Sequence, residues 1–189
     1  MLFCLIIRDT RREAVHNPTF SLLESTQTVM EKVMEAVATK VEPVAVDTGV
    51  SVTINRPPQD VFATLTNVAG QTDWAKGPEE ITDISDDPAR LGTTWQQAMR
   101  MLGRKVVSRM QVNAYEENRK FGFGSEKPLP MQLLFTLMPV PGGTELRLTA
   151  TGEPANIFGK VAIPILTKSL ERQMESDLYA LKAILEERA

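Results

Sequence analysis

MQLLFTLMPVPGGTELRLTAT, residues 131–151, is the stretch on which the architecture turns. Two runs of alternating apolar character meet at Pro141-Gly142-Gly143, the clearest hairpin signal in the chain. Leu133, Phe135 and Leu137 fall on one face, with Leu146 and Leu148 on the same face of the partner. Antiparallel neighbours need only a tight turn. Parallel ones need a crossover of a dozen or more residues.

Upstream, the same arithmetic repeats. KFGFGS (120–125) is separated by Glu117-Asn118 from RKVVSRMQVNAYE (104–116). Gly103 joins that run to TTWQQAMRM (93–101), and EITDIS (80–85) precedes it across Asp86-Asp87-Pro88. No spacer leaves room for a crossover helix, so the sheet is expected to be antiparallel. VSVTIN (50–55) supplies a further half-buried strand. RPPQDVFATLTN then reads as a short helix, with a proline pair at its first turn, Asp60 near its start and an apolar face of Val61, Phe62 and Leu65. A second short helical stretch spans about Val68–Trp74 and is broken by Gly77-Pro78.

Downstream lies one long amphipathic helix. Ile157, Val161, Ile165, Leu170, Met174, Leu178, Leu181 and Leu185 recur at steps of three and four. Lys168, Glu171, Arg172, Glu175, Lys182 and Glu186 fill its other face. Pro164 is expected to kink or break it about two turns in. The fold class is therefore α+β: about seven antiparallel strands, two short helices after the first strand and a long C-terminal helix.

That order has a physical consequence. Strands lie about 4.8 Å apart, and a helix is about 10 Å wide. One helix cannot cover a flat sheet of this width, so the sheet must curl around it, and curling tends to leave a cavity. Strict alternation turns Trp95, Gln97, Met99 and Met101 inward, opposite Val106, Ser108, Met110 and Val112. Phe121, Phe123 and Ser125 follow, with Arg109 outward. The nine methionines suit a surface that repacks around ligands. Taken singly, each Met or Phe reads more simply as core filling.

Residues 49–187 resemble the START-like superfamily, also called SRPBCC, in its polyketide cyclase/dehydrase-type branch. The resemblance rests on VSVTINRPPQDVFATLTN, TDWAKGPEEITDI, LGTTWQQ, YEENRKFGF, LFTLMPVPGGTELRLTATGEP and LERQMESDLYALKAILE. It implies a helix-grip fold, with a deep apolar cavity between the sheet and the C-terminal helix. It also implies a hydrophobic ligand (a lipid, polyketide, aromatic or quinone) that is carried, cyclised or hydrolysed. Trp74 matches a position near the cavity mouth in many relatives, and Trp95 is expected on the wall. The candidate ligand-binding set is Phe62, Trp74, Trp95, Gln97, Met99, Ser108, Met110, Phe121, Phe123, Phe135, Leu137, Leu170 and Met174. Gln97, Ser108 and Ser125 are the polar members of the inward face. Each needs a partner, either a neighbouring backbone group or water, or a ligand carbonyl or hydroxyl.

Composition narrows the chemistry. The 189 residues carry 21 Lys+Arg and 24 Asp+Glu, a net charge of -3, with no basic stripe of the kind a nucleic-acid module uses. The single Cys4 and single His16 both lie in the first twenty residues. Downstream of them there are no residues for a Ser-His-Asp triad, a Cys-His pair or a zinc site. No metal and no cofactor is expected, and no catalytic residue stands out. Glu79-Glu80, Asp86-Asp87, Glu116-Glu117 and Glu186-Glu187 fall at loops, strand ends or the chain end and read as solvated turn charges. Gly122-Phe123-Gly124 lies inside a strand with no helix after it, so it reads as a close approach or bulge, not as a phosphate cradle. Whether the protein is an enzyme of the cyclase/dehydratase kind turns on whether an Arg, Tyr or acid lies inside, and the inward set contains none.

Residues 1–48 read as an N-terminal extension to a ligand-binding domain at 49–189. MLFCLII stops at Arg8 and lacks the basic start of a secretory signal, so a soluble, cytoplasmic protein with no integral membrane segment is expected. Val29, Met30, Val33, Met34, Val37 and Val41 form a stripe suited to an amphipathic helix at 25–41. Three readings stay open there: a homodimer or protein-partner contact, a loosely docked extension, or a natural start at Met30 or Met34. A protein-interaction module without a small ligand is the third functional reading.

Overall fold

Every strand pairing in the sheet is antiparallel, as the short spacers require. The computed structural model describes residues 46–101, 104–152 and 163–187. β1 (Val46–Ile54) leads into α1 (Pro58–Thr66) and a single 3-10 turn (Gln71–Asp73). β2 (Pro78–Thr82), β3 (Thr94–Met101) and β4 (Arg104–Glu116) follow. β5 (Lys120–Ser125), β6 (Met131–Val140) and β7 (Gly143–Gly152) complete the sheet. The long helix α2 spans Ile163–Glu187. The strand order is β1-β7-β6-β5-β4-β3-β2, so the first two strands of the chain form opposite edges.

The curl follows from how α2 is held. On one side Lys182 Nζ donates to the Thr53 carbonyl at 2.6 Å, the Asn55 N–H to Glu186 at 2.8 Å and the Thr48 hydroxyl to Glu171 at 2.6 Å. These tie the helix along β1. On the other side the Lys76 N–H donates to Asp177 at 3.0 Å and Lys76 Nζ to Ser176 at 3.1 Å. Lys76 leads into β2, the far edge. A flat seven-stranded sheet would separate its edge strands by about 29 Å at the usual spacing. One helix about 10 Å wide reaches both only because the sheet bends around it.

Alternation placed the inner face correctly at Trp95, Gln97, Ser108, Met110, Val112, Phe121, Phe123, Phe135, Leu137, Leu146 and Leu148, which are all buried, and Arg109 is exposed. The side chain of Met101 lies outside the described residues. Alternation fails at Asn113. Val112 pairs with Phe123 but Ala114 with Gly122, leaving Asn113 as an extra residue in β4. This bulge moves Tyr115 to the same side as Val112, where its ring meets Phe62 edge-on at 5.3 Å.

Other boundaries shift for local reasons. β1 starts at Val46, ahead of the expected 50, because Val46–Gly49 continue the ladder with Thr149–Gly152. Three residues assigned by sequence to the extension thus belong to the sheet. β2 ends at Thr82, before the expected 85, because Asp83 sits at φ 54, a left-handed conformation that cannot continue a strand. The described α2 runs unbroken from Pro164 to Glu187, and the two turns expected before Pro164 lie outside the described residues. Ile157 and Val161 lie outside the described residues, as do Cys4, His16 and the candidate helix at 25–41. Among the described residues, no helix is long and apolar enough to cross a membrane.

Candidate functional site

The space between sheet and α2 is unevenly filled. Toward one end, Phe62 from α1 meets Phe121 at 6.4 Å, and Phe121 meets Phe123 at 5.6 Å. Phe123 in turn takes Trp95 edge-on at 5.0 Å. Met110 and Leu137 are buried in the same cluster. Toward the other end lies a cavity of about 500 Å³. Its walls are β3 (Gln97, Met99), β6 (Met131, Leu133, Phe135), β7 (Leu148, Ala150), the segment Gln71 to Glu79 and the first half of α2.

Of the candidate residues, the structure brings Trp74, Gln97, Met99, Phe135, Leu170 and Met174 to this cavity. Phe62, Trp95, Ser108, Met110, Phe121, Phe123 and Leu137 face the same interior but pack within the filled end or beside it. Trp95 is therefore interior packing and not cavity wall. Its indole N–H donates to Gln97 Oε1 at 3.3 Å, which satisfies the expected inward Gln. The Ser125 hydroxyl donates to the Leu129 carbonyl at 2.7 Å. The Ser108 hydroxyl has no partner among the described residues.

Asp177 is the residue the sequence reading passed over. It is buried on α2 and lines the cavity. Its Oδ1 accepts the Lys76 N–H at 3.0 Å and the Gln173 amide at 2.7 Å, and Oδ2 takes neither. Burial pushes its carboxyl above the usual carboxylate value, against the downward pull of those two bonds and of the Lys76 charge. A signal was present: Asp177 lies seven residues after Leu170 and three after Met174, inside the apolar stripe. Gln71 was also missed. It lines the cavity from the 3-10 turn, and no period marks a single turn.

A family described as polyketide cyclase/dehydrase and lipid transport matches residues 45–186. The chain belongs to that family. Solved structures share the fold of this polyketide cyclase/dehydrase relative at low identity. TTHA0849 from Thermus thermophilus is 20% identical with a TM-score of 0.65, over 76% of this chain and 99% of that one. Zhui aromatase/cyclase from Streptomyces sp. R1128 is 16% identical with a TM-score of 0.63, over 76% and 95%. DR_A0006 from Deinococcus radiodurans is 17% identical with a TM-score of 0.58, over 76% and 98%. No curated protein matches the sequence.

In this polyketide cyclase/dehydrase family member, the raised carboxyl of Asp177 makes a signed prediction. A carboxyl whose folded pKa lies above its unfolded value costs stability at any pH above its unfolded value. That cost is relieved as pH falls through the folded pKa. Asp177→Asn keeps an acceptor for Lys76 and Gln173 but carries no charge. The variant is expected to be more stable than the parent at pH 7, with the difference closing on acidification. Urea melts across pH measure it, and parallel curves for the two proteins would refute the assignment.

Proposed function

We propose that the protein binds a hydrophobic small molecule, such as a lipid, polyketide, aromatic or quinone-like compound, in the cavity between β3, β6, β7 and α2. The observation that carries this reading is the cavity itself. About 500 Å³ lies within the range of small-molecule sites. Its walls are mostly apolar, with Gln71, Gln97, Gln173 and Asp177 placed among them and the exposed Lys76, Glu79, Arg100, Thr151 and Ser169 also on its lining. Native mass spectrometry of freshly purified protein tests it. A dissociable small-molecule adduct is expected. A protein without adduct, carrying a protein partner instead, would favour an interaction module.

One observation favours a second reading, an enzyme of the cyclase/dehydratase kind. An Arg, Tyr or acid inside was the missing requirement: the β4 bulge turns Tyr115 inward, and Asp177 supplies an acid on the wall whose burial raises its pKa. An aromatase/cyclase is among the proteins sharing the fold. In this reading Asp177 exchanges a proton with a ligand oxygen or carbon during ring closure or water loss. Asp177→Asn would then abolish turnover of a linear polyketone while leaving its binding measurable.

A further inference from the structure

One buried acid at the cavity has no partner of opposite charge. Asp177 is 8% exposed and lines the cavity from α2. Aspartate is almost never buried unless it is paired. Yet no lysine or arginine among the described residues forms an ion pair with it. Lys76, whose charge is felt at Asp177, turns its ammonium to the Ser176 hydroxyl at 3.1 Å. What the fold gives Asp177 is two neutral N–H donors, the Lys76 backbone at 3.0 Å and the Gln173 amide at 2.7 Å, and both go to Oδ1. Oδ2 takes neither, and unlike Ser108 Oγ it is not among the interior polar atoms sealed from water. It keeps accessible surface on a residue that borders the cavity.

The missing partner is defined by its chemistry. Two donors on Oδ1 favour the charged form and leave Oδ2 as the bare acceptor. A ligand carbonyl or ether brings no donor to a carboxylate, and a ligand carboxylate adds like charge. A hydroxyl donates one bond but leaves the charge unmatched. An ammonium donates a charge-assisted bond and supplies the absent countercharge. The other charged groups on the lining, Lys76, Glu79 and Arg100, are exposed, and Arg100 pairs with Glu79 at 2.9 Å. Water and salt screen such exposed charges far more than a buried one. Met174 and Leu170, about one and two turns before Asp177 on α2, line the cavity with Phe135 and Leu148 of the sheet and accept rings or hydrocarbon.

We infer that Asp177 anchors a ligand ammonium, so that the ligand is a hydrophobic amine, an apolar ring or chain carrying a protonated nitrogen. This rests on the ligand-cavity reading above and names the class of ligand. The nitrogen donates to Oδ2, and the hydrocarbon body lies between α2 and the strands β6 and β7.

Calorimetric titration at pH 7 with naphthylmethylamine and naphthylmethanol, the same ring bearing an ammonium or a hydroxyl, separates the two claims. The wild type is expected to bind the amine about tenfold more tightly, the gain of a charge-assisted hydrogen bond over a neutral one. Asp177→Asn keeps an acceptor for Lys76 and Gln173 and is expected to bring the ratio near one, by weakening the amine and sparing the alcohol. Glu79→Gln removes the exposed acid on the lining and is expected to preserve the ratio. If the alcohol binds and the wild-type ratio is near one, if the ratio survives in Asp177→Asn, or if it falls equally in Glu79→Gln, the ammonium anchor is wrong and the cavity reading stands. If neither compound binds, the cavity reading falls and takes the anchor with it.

Discussion

Trp95→Ala is expected to lower stability by about 3–5 kcal/mol, the cost of truncating a large buried aromatic. The side chain is 1% exposed. It packs edge-on against Phe123 at 5.0 Å and sits opposite Met110 in the β3–β4 ladder. Truncation removes those contacts and strips Gln97 Oε1 of its donor. Domains of this kind hold about 5–15 kcal/mol in all, so the loss is a large fraction. Trp95→Phe, which keeps a ring against Phe123, is expected to lose clearly less. Urea denaturation followed by circular dichroism measures both. Near-parental stability of the alanine variant would mean that Trp95 borders adaptable space after all, as the sequence alone suggested.

That contrast shows how far the sequence could be read. The hairpin at 131–151, the short spacers and the stripe from Leu170 to Leu185 are local signals, and each survives in the structure. Alternation needs only a parity, so it assigned the inward face of β3, β5, β6 and β7 without knowledge of the partner strands. It failed where parity breaks. Asn113 looks like any outward residue of β4, and only pairing with β5 reveals that it is extra and that Tyr115 turns inward. The site was harder still. Phe123 and Phe135 carry identical signatures, yet Phe135 borders the cavity and Phe123 does not. The difference lies in what reaches them from elsewhere. Trp95 and Phe121 close on Phe123 at 5.0 and 5.6 Å, whereas Phe135 has its ring neighbours Trp74 and Phe123 farther off, at 6.2 Å each. Filling depends on summed volumes across elements distant in sequence, and no single strand carries that sum. Asp177 was hidden differently: its polarity moved attention to the solvent face, although its position on the wheel is apolar.

Ala150→Trp is expected to weaken binding of anilinonaphthalene sulfonate, a bulky aromatic probe, at least tenfold without loss of stability. Ala150 is 3% exposed on β7, pairs with Leu133 on β6 and borders the cavity with it. In a close-packed interior, enlarging a buried alanine forces neighbours aside and costs about 1–3 kcal/mol. Next to about 500 Å³ of free space the added ring has somewhere to go. It buries its own apolar surface there and removes the volume the probe needs. Fluorescence titration and urea melts on the same variant read the two effects together. The pairing of outcomes is what discriminates. An interior filled throughout would be destabilised both by cutting Trp95 and by enlarging Ala150. An interior filled at one end and open at the other loses stability only from the first change and loses ligand from the second. A destabilised Ala150→Trp variant that still bound the probe at parental strength would place the ligand elsewhere and remove the cavity between β3, β6, β7 and α2 from the mechanism.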